Sequence, residues 1–225
     1  MLILALDTSG RNGGLALVRF DAGQPHVLDA VPLAGGTFSA QLVPQIAALV
    51  VRNQLAKSDI GGFAVVTGPG SFTGLRVGLA AVKALGEVLR KPIAAVSLLE
   101  AMASSAGAEG RILAVIDAGR QELYAGTYAV QEAALLCLSE QLFSLDELSS
   151  QARGNLVVVF EPDLAERLGK RGLAVRLIPY PGADVIARLG FSKIESGEIV
   201  SPEALDAAYA RPNDAEIKKS DRRMQ

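Results

Sequence analysis

A chain of 225 residues, half of them hydrophobic, is long enough to bury a real core as one large domain or two small lobes. With one cysteine, Cys137, and one histidine, His26, neither a disulfide framework nor a Cys/His zinc site can be built. A net charge of −2 excludes a surface that attracts nucleic acid as a whole, and with no Trp and 5% aromatic residues alanine, leucine and valine must fill the interior.

Leu2-Ile3-Leu4-Ala5-Leu6 is a continuous apolar run of strand length that ends in the polar turn Asp7-Thr8-Ser9-Gly10, as expected of a strand buried on both faces. Two strands follow in a meander, Gly14 to Phe20 and Val27 to Leu33, and then a helix over 41 to 56, in which Pro44 is tolerable only in the first turn. The next strand, Phe63 to Val66, runs directly into Thr67-Gly68-Pro69-Gly70-Ser71-Phe72-Thr73-Gly74-Leu75-Arg76, a turn too rich in Gly and Pro to be strand or helix. A helix over 73 to 90 comes next, which Ser71 or Thr73 can cap. Free N–H groups at such a helix start favour an anion. The loop is neither a P-loop nor a dinucleotide fingerprint, so phosphate contact and a simple capped turn stand as equal readings.

The charged residues of that helix, Arg76, Lys83, Glu87 and Arg90, fall on one stripe roughly 60° wide, and nearly all the rest is apolar or glycine. The helix over 41 to 56 has the same character. A sheet covers only one face of a helix, so either the two helices bury each other deeply or a partner covers the remainder, and the second reading is favoured.

Ile93 to Val96 is another buried strand, and Ser97 with Glu100 forms a capping box that opens a helix to about Ser105. Ser105 to Gly110 is the best boundary, dividing a first lobe over 1–106 from a second over 107–211, with a tail at 212–225 carrying Lys218, Lys219, Arg222 and Arg223. Ile112 to Ile116 followed by Asp117-Ala118-Gly119-Arg120 echoes the apolar strand, Asp, small residues and Gly10-Arg11 of the N-terminus, which suggests an internal duplication. Strands at 122–130 and 135–143, a helix opened by Ser144 and Glu147, a strand at 156–160, a helix at 162–170, a strand at 173–178 and a helix at 183–190 complete the pattern, with a last turn at Ser201-Pro202. No secretory pattern and no uncharged apolar run of about 18 residues appears, so a cytoplasmic soluble protein is expected.

Leu4 to Ser9, the block Gly68-Pro69-Gly70-Ser71-Phe72-Thr73-Gly74-Leu75-Arg76, Pro92-Ile93 to Ser97 with Leu99-Glu100-Ala101, and Asp117 to Glu122 together resemble the TsaB (YeaZ) family. The resemblance covers most of residues 1 to 130. It implies an α/β, actin-like or sugar-kinase-like ATPase fold of two RNase H-like lobes, the second reduced. It also implies a non-catalytic subunit of the machinery that installs threonylcarbamoyl on adenosine 37 of tRNA. The implied partners are a TsaD-like catalytic subunit, a TsaE-like ATPase and, for the chain alone, a second copy; tRNA is met only through the complex, and no membrane is involved.

The helix faces expected to dock are represented by Leu42, Ile46, Leu49, Val50, Leu75, Val77 and Ala81. Where the catalytic relative carries a metal-binding His-x-x-x-His, this chain has Leu98 and Met102, which cannot replace imidazole ligands, so no metal of its own is expected. A further departure is Phe38, where many relatives place His. Asp7, Thr8, Ser9, Gly70, Ser71, Thr73 and Arg76 are the candidate nucleotide or phosphate contacts. Asp7 has two readings: a carboxylate that holds phosphates through a cation, or an Asx turn, and the turn is favoured. No cofactor of the chain's own is expected, with ATP or ADP left open at the interface of the complex. Neither Ser71 nor Ser9 has a base nearby in sequence, and there is no HExxH, so a peptidase reading finds no support. The alternative from another class is a stand-alone ATP-dependent enzyme, a kinase or carbamoyl-transferase-like protein using Asp7, Thr8 and the 68 to 74 loop.

Overall fold

The computed structural model describes residues 1–132 and 134–208; the expected tail at 212–225 lies outside them. Two five-stranded mixed sheets organise the chain. In the first, β1 (Leu2–Asp7) pairs antiparallel with β2 (Asn12–Asp21), which pairs antiparallel with β3 (Gln24–Ala34). On its other side β1 runs parallel to β4 (Gly62–Gly68), and β4 parallel to β5 (Ile93–Ser97). Every residue of β1 is buried, as a continuous apolar strand at the centre of a covered sheet requires.

The second sheet repeats this plan. β6 (Gly110–Gly119) takes the place of β1, with β7 (Glu122–Gln131) and β8 (Ala134–Ser144) antiparallel on one side and β9 (Leu156–Val159) and β10 (Val175–Leu177) parallel on the other. The strand orders β3-β2-β1-β4-β5 and β8-β7-β6-β9-β10 are the same path walked twice, so the echo of Asp7 to Arg11 in Asp117 to Arg120 has a topological counterpart.

The helices differ between the halves. The first carries α1 (Phe38–Arg52) and α2 (Phe72–Leu89), of 15 and 18 residues; among the described residues the second sheet is served by α4 (Leu145–Gln151) and α5 (Pro162–Gly169), of 7 and 8 residues. Between the halves α3 (Leu98–Ser104) starts with the expected capping box, Ser97 Oγ accepting from Leu99 N and Glu100 from Ser97 N. The box expected at Ser144 and Glu147 likewise opens α4.

Two helix readings are corrected. α1 starts at Phe38, so Pro44 sits in its second turn rather than its first. Phe38 is buried against Gly13, which anchors the early start, and Pro44 and Ala40 face solvent, where the carbonyl that the proline leaves unbonded can meet water. The final helix, α6 (Ala183–Ser196), runs past Gly190 to a left-handed Gly197. Gly190 is a contact and not a stop: its Cα lies on the Cβ atoms of Ala64 and Ala94, which leave no room for a side chain. α6 therefore packs on β1, β2, β4 and β5 of the first sheet, although the reading from sequence places residues 183–190 with the second lobe. Gly86 of α2 rests on Ile93, the neighbour of Ala94, so α2 and α6 cover opposite faces of the first sheet. Among the described residues, no helix is long and apolar enough to cross a membrane.

Candidate functional site

The end of β1 is a closed knot of polar groups. Asp7 Oδ1 accepts from Ser9 N at 2.8 Å and from Ser9 Oγ at 2.6 Å, and its Oδ2 accepts from the Tyr180 hydroxyl at 2.7 Å. The first contact is the Asx turn that the sequence favours. Burial pushes the Asp7 carboxyl above its ordinary value, against the lowering pull of the Ser9 and Tyr180 hydrogen bonds. Burial and the neighbouring Asp7 likewise push the Tyr180 phenol up, which keeps it a protonated donor.

The glycine block belongs to the same knot. Ser71 caps α2, its side chain accepting from Gly74 N at 3.3 Å, and Ser71 N donates to Ser9 O at 2.6 Å. A Cβ at Gly70 would collide with the Ser9 carbonyl, one at Gly74 with the Thr8 carbonyl, and one at Gly78 with Thr8 Oγ1. These glycines let α2 settle directly on the backbone of the Thr8-Ser9 turn, so the space that their missing side chains open is filled by the chain itself. Thr73 is exposed at the rim, and Arg76 lies over the Phe72 ring, its guanidinium carbon 3.7 Å from the centroid.

Asp117, at the matching end of β6, also makes an Asx turn, accepting from Gly119 N at 2.7 Å. Its other oxygen meets Arg167 at 2.6 Å, and Asp117 N donates to Glu161 at 3.3 Å. Burial pushes the Glu161 carboxyl up. Between the two strand ends lies a cleft of about 540 Å³, lined by Ser9, Gly70, Ser71, Thr73 and Gly74 from the first half and by Asp117, Ala118 and Tyr124 from the second. The structure thus brings Ser9, Gly70, Ser71 and Thr73 to one cleft. It seals Asp7 and Thr8 behind them, each only 1% exposed.

The second region is the outer face of α1 and α2. A groove of about 540 Å³ runs between them, lined by Val43, Ala47, Val51, Ala84 and Leu85 among others. Val43 is 65% exposed, Val51 73% and Val88 78%. Three of the residues expected on this face do not reach it: Leu42, Leu49 and Leu75 are at most 1% exposed and face the sheet. Ile46, Val50 and Ala81 do line the groove, Ile46 and Val50 largely buried at its floor, whereas Val77 lines the cleft instead. Both helices are apolar nearly all round, so periodicity alone cannot say which apolar side meets the sheet.

Leu98 and Met102, which stand where the catalytic relative has its histidines, share the core-facing side of α3 and are buried among apolar residues. Phe38 packs its ring over Gly13 and beside Gly74, filling the wall between α1 and the glycine loop. Tyr180, Arg167 and Glu161 carry no sequence signal: each lies more than forty residues from the aspartate it serves.

The family model described as "TsaD: tRNA N6-adenosine threonylcarbamoyltransferase" matches residues 32–168, more than half the chain. The tRNA threonylcarbamoyladenosine biosynthesis protein TsaB of Bacillus subtilis is 34% identical over 136 residues, 60% of this chain and 58% of the relative, so the match spans less than two thirds of that protein. TsaB of Escherichia coli is 27% identical over 95% of this chain and 96% of its own length. The solved structure of YeaZ from Pseudomonas aeruginosa superposes with a TM-score of 0.77 at 26% identity, covering 92% of this chain and 99% of that one. A matching family model, a relative aligned end to end and a superposable structure agree with the glycine block and the two Asx turns: the chain belongs to the TsaD family of tRNA threonylcarbamoyladenosine proteins, in its TsaB (YeaZ) branch.

Proposed function

We propose that this chain is a non-catalytic subunit in the biosynthesis of N6-threonylcarbamoyladenosine at position 37 of tRNA. It docks on a TsaD-type catalytic subunit through α1 and α2, with a TsaE-type ATPase as a third component. The groove between those helices carries the reading. It exposes Val43 and Val51 on an apolar lining, with Val88 exposed on α2 outside that lining, an arrangement that a monomer rarely leaves uncovered and that a homologous helix pair could cover. The same face serves self-association when the chain is alone. The two sheets are read as RNase H-like lobes of an actin-like ATPase fold, the second reduced in its helices.

The closed Asp7 knot supports the non-catalytic half of the reading. A cation and phosphate at Asp7 would have to displace the Tyr180 hydroxyl and the Ser9 turn, and the glycine positions offer no free cradle. In this reading ATP or ADP is left open at the interface of the assembled complex, and tRNA is met through that complex.

The test is reconstitution of threonylcarbamoyl transfer to tRNA from a TsaD-type subunit of the same organism, threonylcarbamoyl-AMP and tRNA, with and without this chain. Modification that requires both proteins, with none from this chain alone, supports the reading. The cleft of about 540 Å³ favours the rival, a stand-alone ATP-dependent enzyme. ATP hydrolysis by the purified chain, lost in Asp7→Asn, would establish that rival.

A further inference from the structure

Tyr180 joins two distant parts of the chain. It lies in Ile178-Pro179-Tyr180-Pro181-Gly182, the segment that leads from the second sheet into α6. Its ring meets Phe160 edge to face, with centroids 4.9 Å apart. Its hydroxyl donates to Asp7 Oδ2 at 2.7 Å and stands 3.1 Å from Ser9 Oγ, which in turn donates to Asp7 Oδ1. The carbonyls of Thr8 and Ser9 are the surface on which Gly74 and Gly70 rest, and Ser9 O holds Ser71 N. Contacts thus run without a gap from the segment before α6, through the Asp7 to Ser9 turn, to the first turn of α2, the helix whose later turns, from Ala81 to Leu89, form one wall of the docking groove.

We infer that Tyr180 is a positioning residue for the docking helix: its hydroxyl fixes the Asp7 to Ser9 turn, and that turn seats the start of α2. Without the hydroxyl, Asp7 Oδ2 is left buried with no donor among the described residues, and the carboxyl group must rotate or admit water, either of which loosens the turn. Backbone seated on backbone at Gly70 and Gly74 has no side chain to absorb such a shift, so it passes to α2. The inference rests on the docking reading for its functional consequence; its structural part stands without it.

Tyr180→Phe tests it, since the ring and its Phe160 contact remain and only the hydroxyl goes. Ser9→Ala, which removes the other hydroxyl of the knot without adding bulk, is the second variant. Amide hydrogen exchange on the full chain and the dissociation constant for a TsaD-type subunit are measured for parent and variants. The expected result is exchange faster by about tenfold at amides 71–78, unchanged exchange in α4 and α5, and docking weaker by about fivefold, the scale of one net hydrogen bond. Unchanged exchange at 71–78 in both variants, or faster exchange spread evenly over both sheets, would overturn the inference. If the parent chain itself fails to bind the TsaD-type subunit, the docking reading falls, and the exchange pattern alone decides the role of Tyr180.

Discussion

The two halves walk one path, yet they finish their surfaces differently. Asp7 is 1% exposed and held by a phenol, whereas the Asp117 side chain is 34% exposed and paired with a half-exposed Arg167. The helices diverge in the same sense. α4 and α5 are short and bury one and two leucines, while α1 and α2 are long and apolar on the side that faces away from the sheet, α2 seated on its own glycines. The contrast is between a strand end that buries its aspartate behind the cleft and a helix face that stays apolar and exposed, the face that the proposed docking would cover. Burial seals the first; unburied valine and alanine mark the second.

The largest effect should come from confusing the two faces of one helix. Leu49→Ala removes a fully buried side chain and should cost about 3 kcal/mol in urea denaturation. Val51→Glu, two residues on and 73% exposed, should stay within about 0.5 kcal/mol of the parent when both are unfolded at concentrations that keep them monomeric. Equal costs at the two positions would erase the distinction between core and docking faces.

Next in size, Gly74→Val should cost about 2 kcal/mol or more, because the new side chain meets the Thr8 carbonyl and α2 must lift from its seat. The same denaturation measurement checks it, and a stable, unshifted variant would mean that the glycine block is not a packing device. Gly70 and Gly74 were legible as places of close approach, but the sequence could not say whether a phosphate or the chain itself approaches. That answer needed Ser9 and Thr8, sixty residues upstream, in place.

The Asp7 knot predicts a pH dependence. Its carboxyl holds a proton more tightly in the folded chain than in the unfolded one, because burial outweighs the bonds from Ser9 and Tyr180. Ionisation therefore costs stability as pH rises from the ordinary carboxylate value through the folded one, and the loss persists above it. Asp7→Asn can still accept from Ser9 N and removes that loss, so its stability relative to the parent should rise over this window. Unfolding curves at several pH values check the direction, and a falling difference would mean that the ionised carboxylate is the stabilised form. The smallest effect belongs to the second half: Arg167→Ala breaks a half-exposed ion pair and should cost less than about 1 kcal/mol, shrinking further in high salt.

What the sequence made legible was whatever local chemistry decides. Continuous apolar runs gave β1, β4, β5 and β6, the S-x-x-E pairs gave the starts of α3 and α4, and the repeated Asp with Gly-Arg marked both Asx turns. Three things resisted because they depend on distant chain. Gly190 reads as a helix stop until Ala64 and Ala94 are seen beneath it. Leu42, Leu49 and Leu75 read as docking residues because apolar helices show no preferred side until the sheet claims one. Tyr180, between two prolines, reads as a loop residue, although it bonds an aspartate 173 positions away.

Whether the open face of α1 and α2 is a protein-docking surface is decided by size-exclusion chromatography with light scattering. The parent chain and a Val51→Glu/Val88→Glu variant would each be run alone and mixed with a TsaD-type subunit of the same organism. A docking face at α1 and α2 gives a homodimer of the parent alone, a heterodimer in its mixture, and a folded monomer for the variant that ignores the partner. A variant that pairs as well as the parent, or a parent that stays monomeric in both runs, would contradict it.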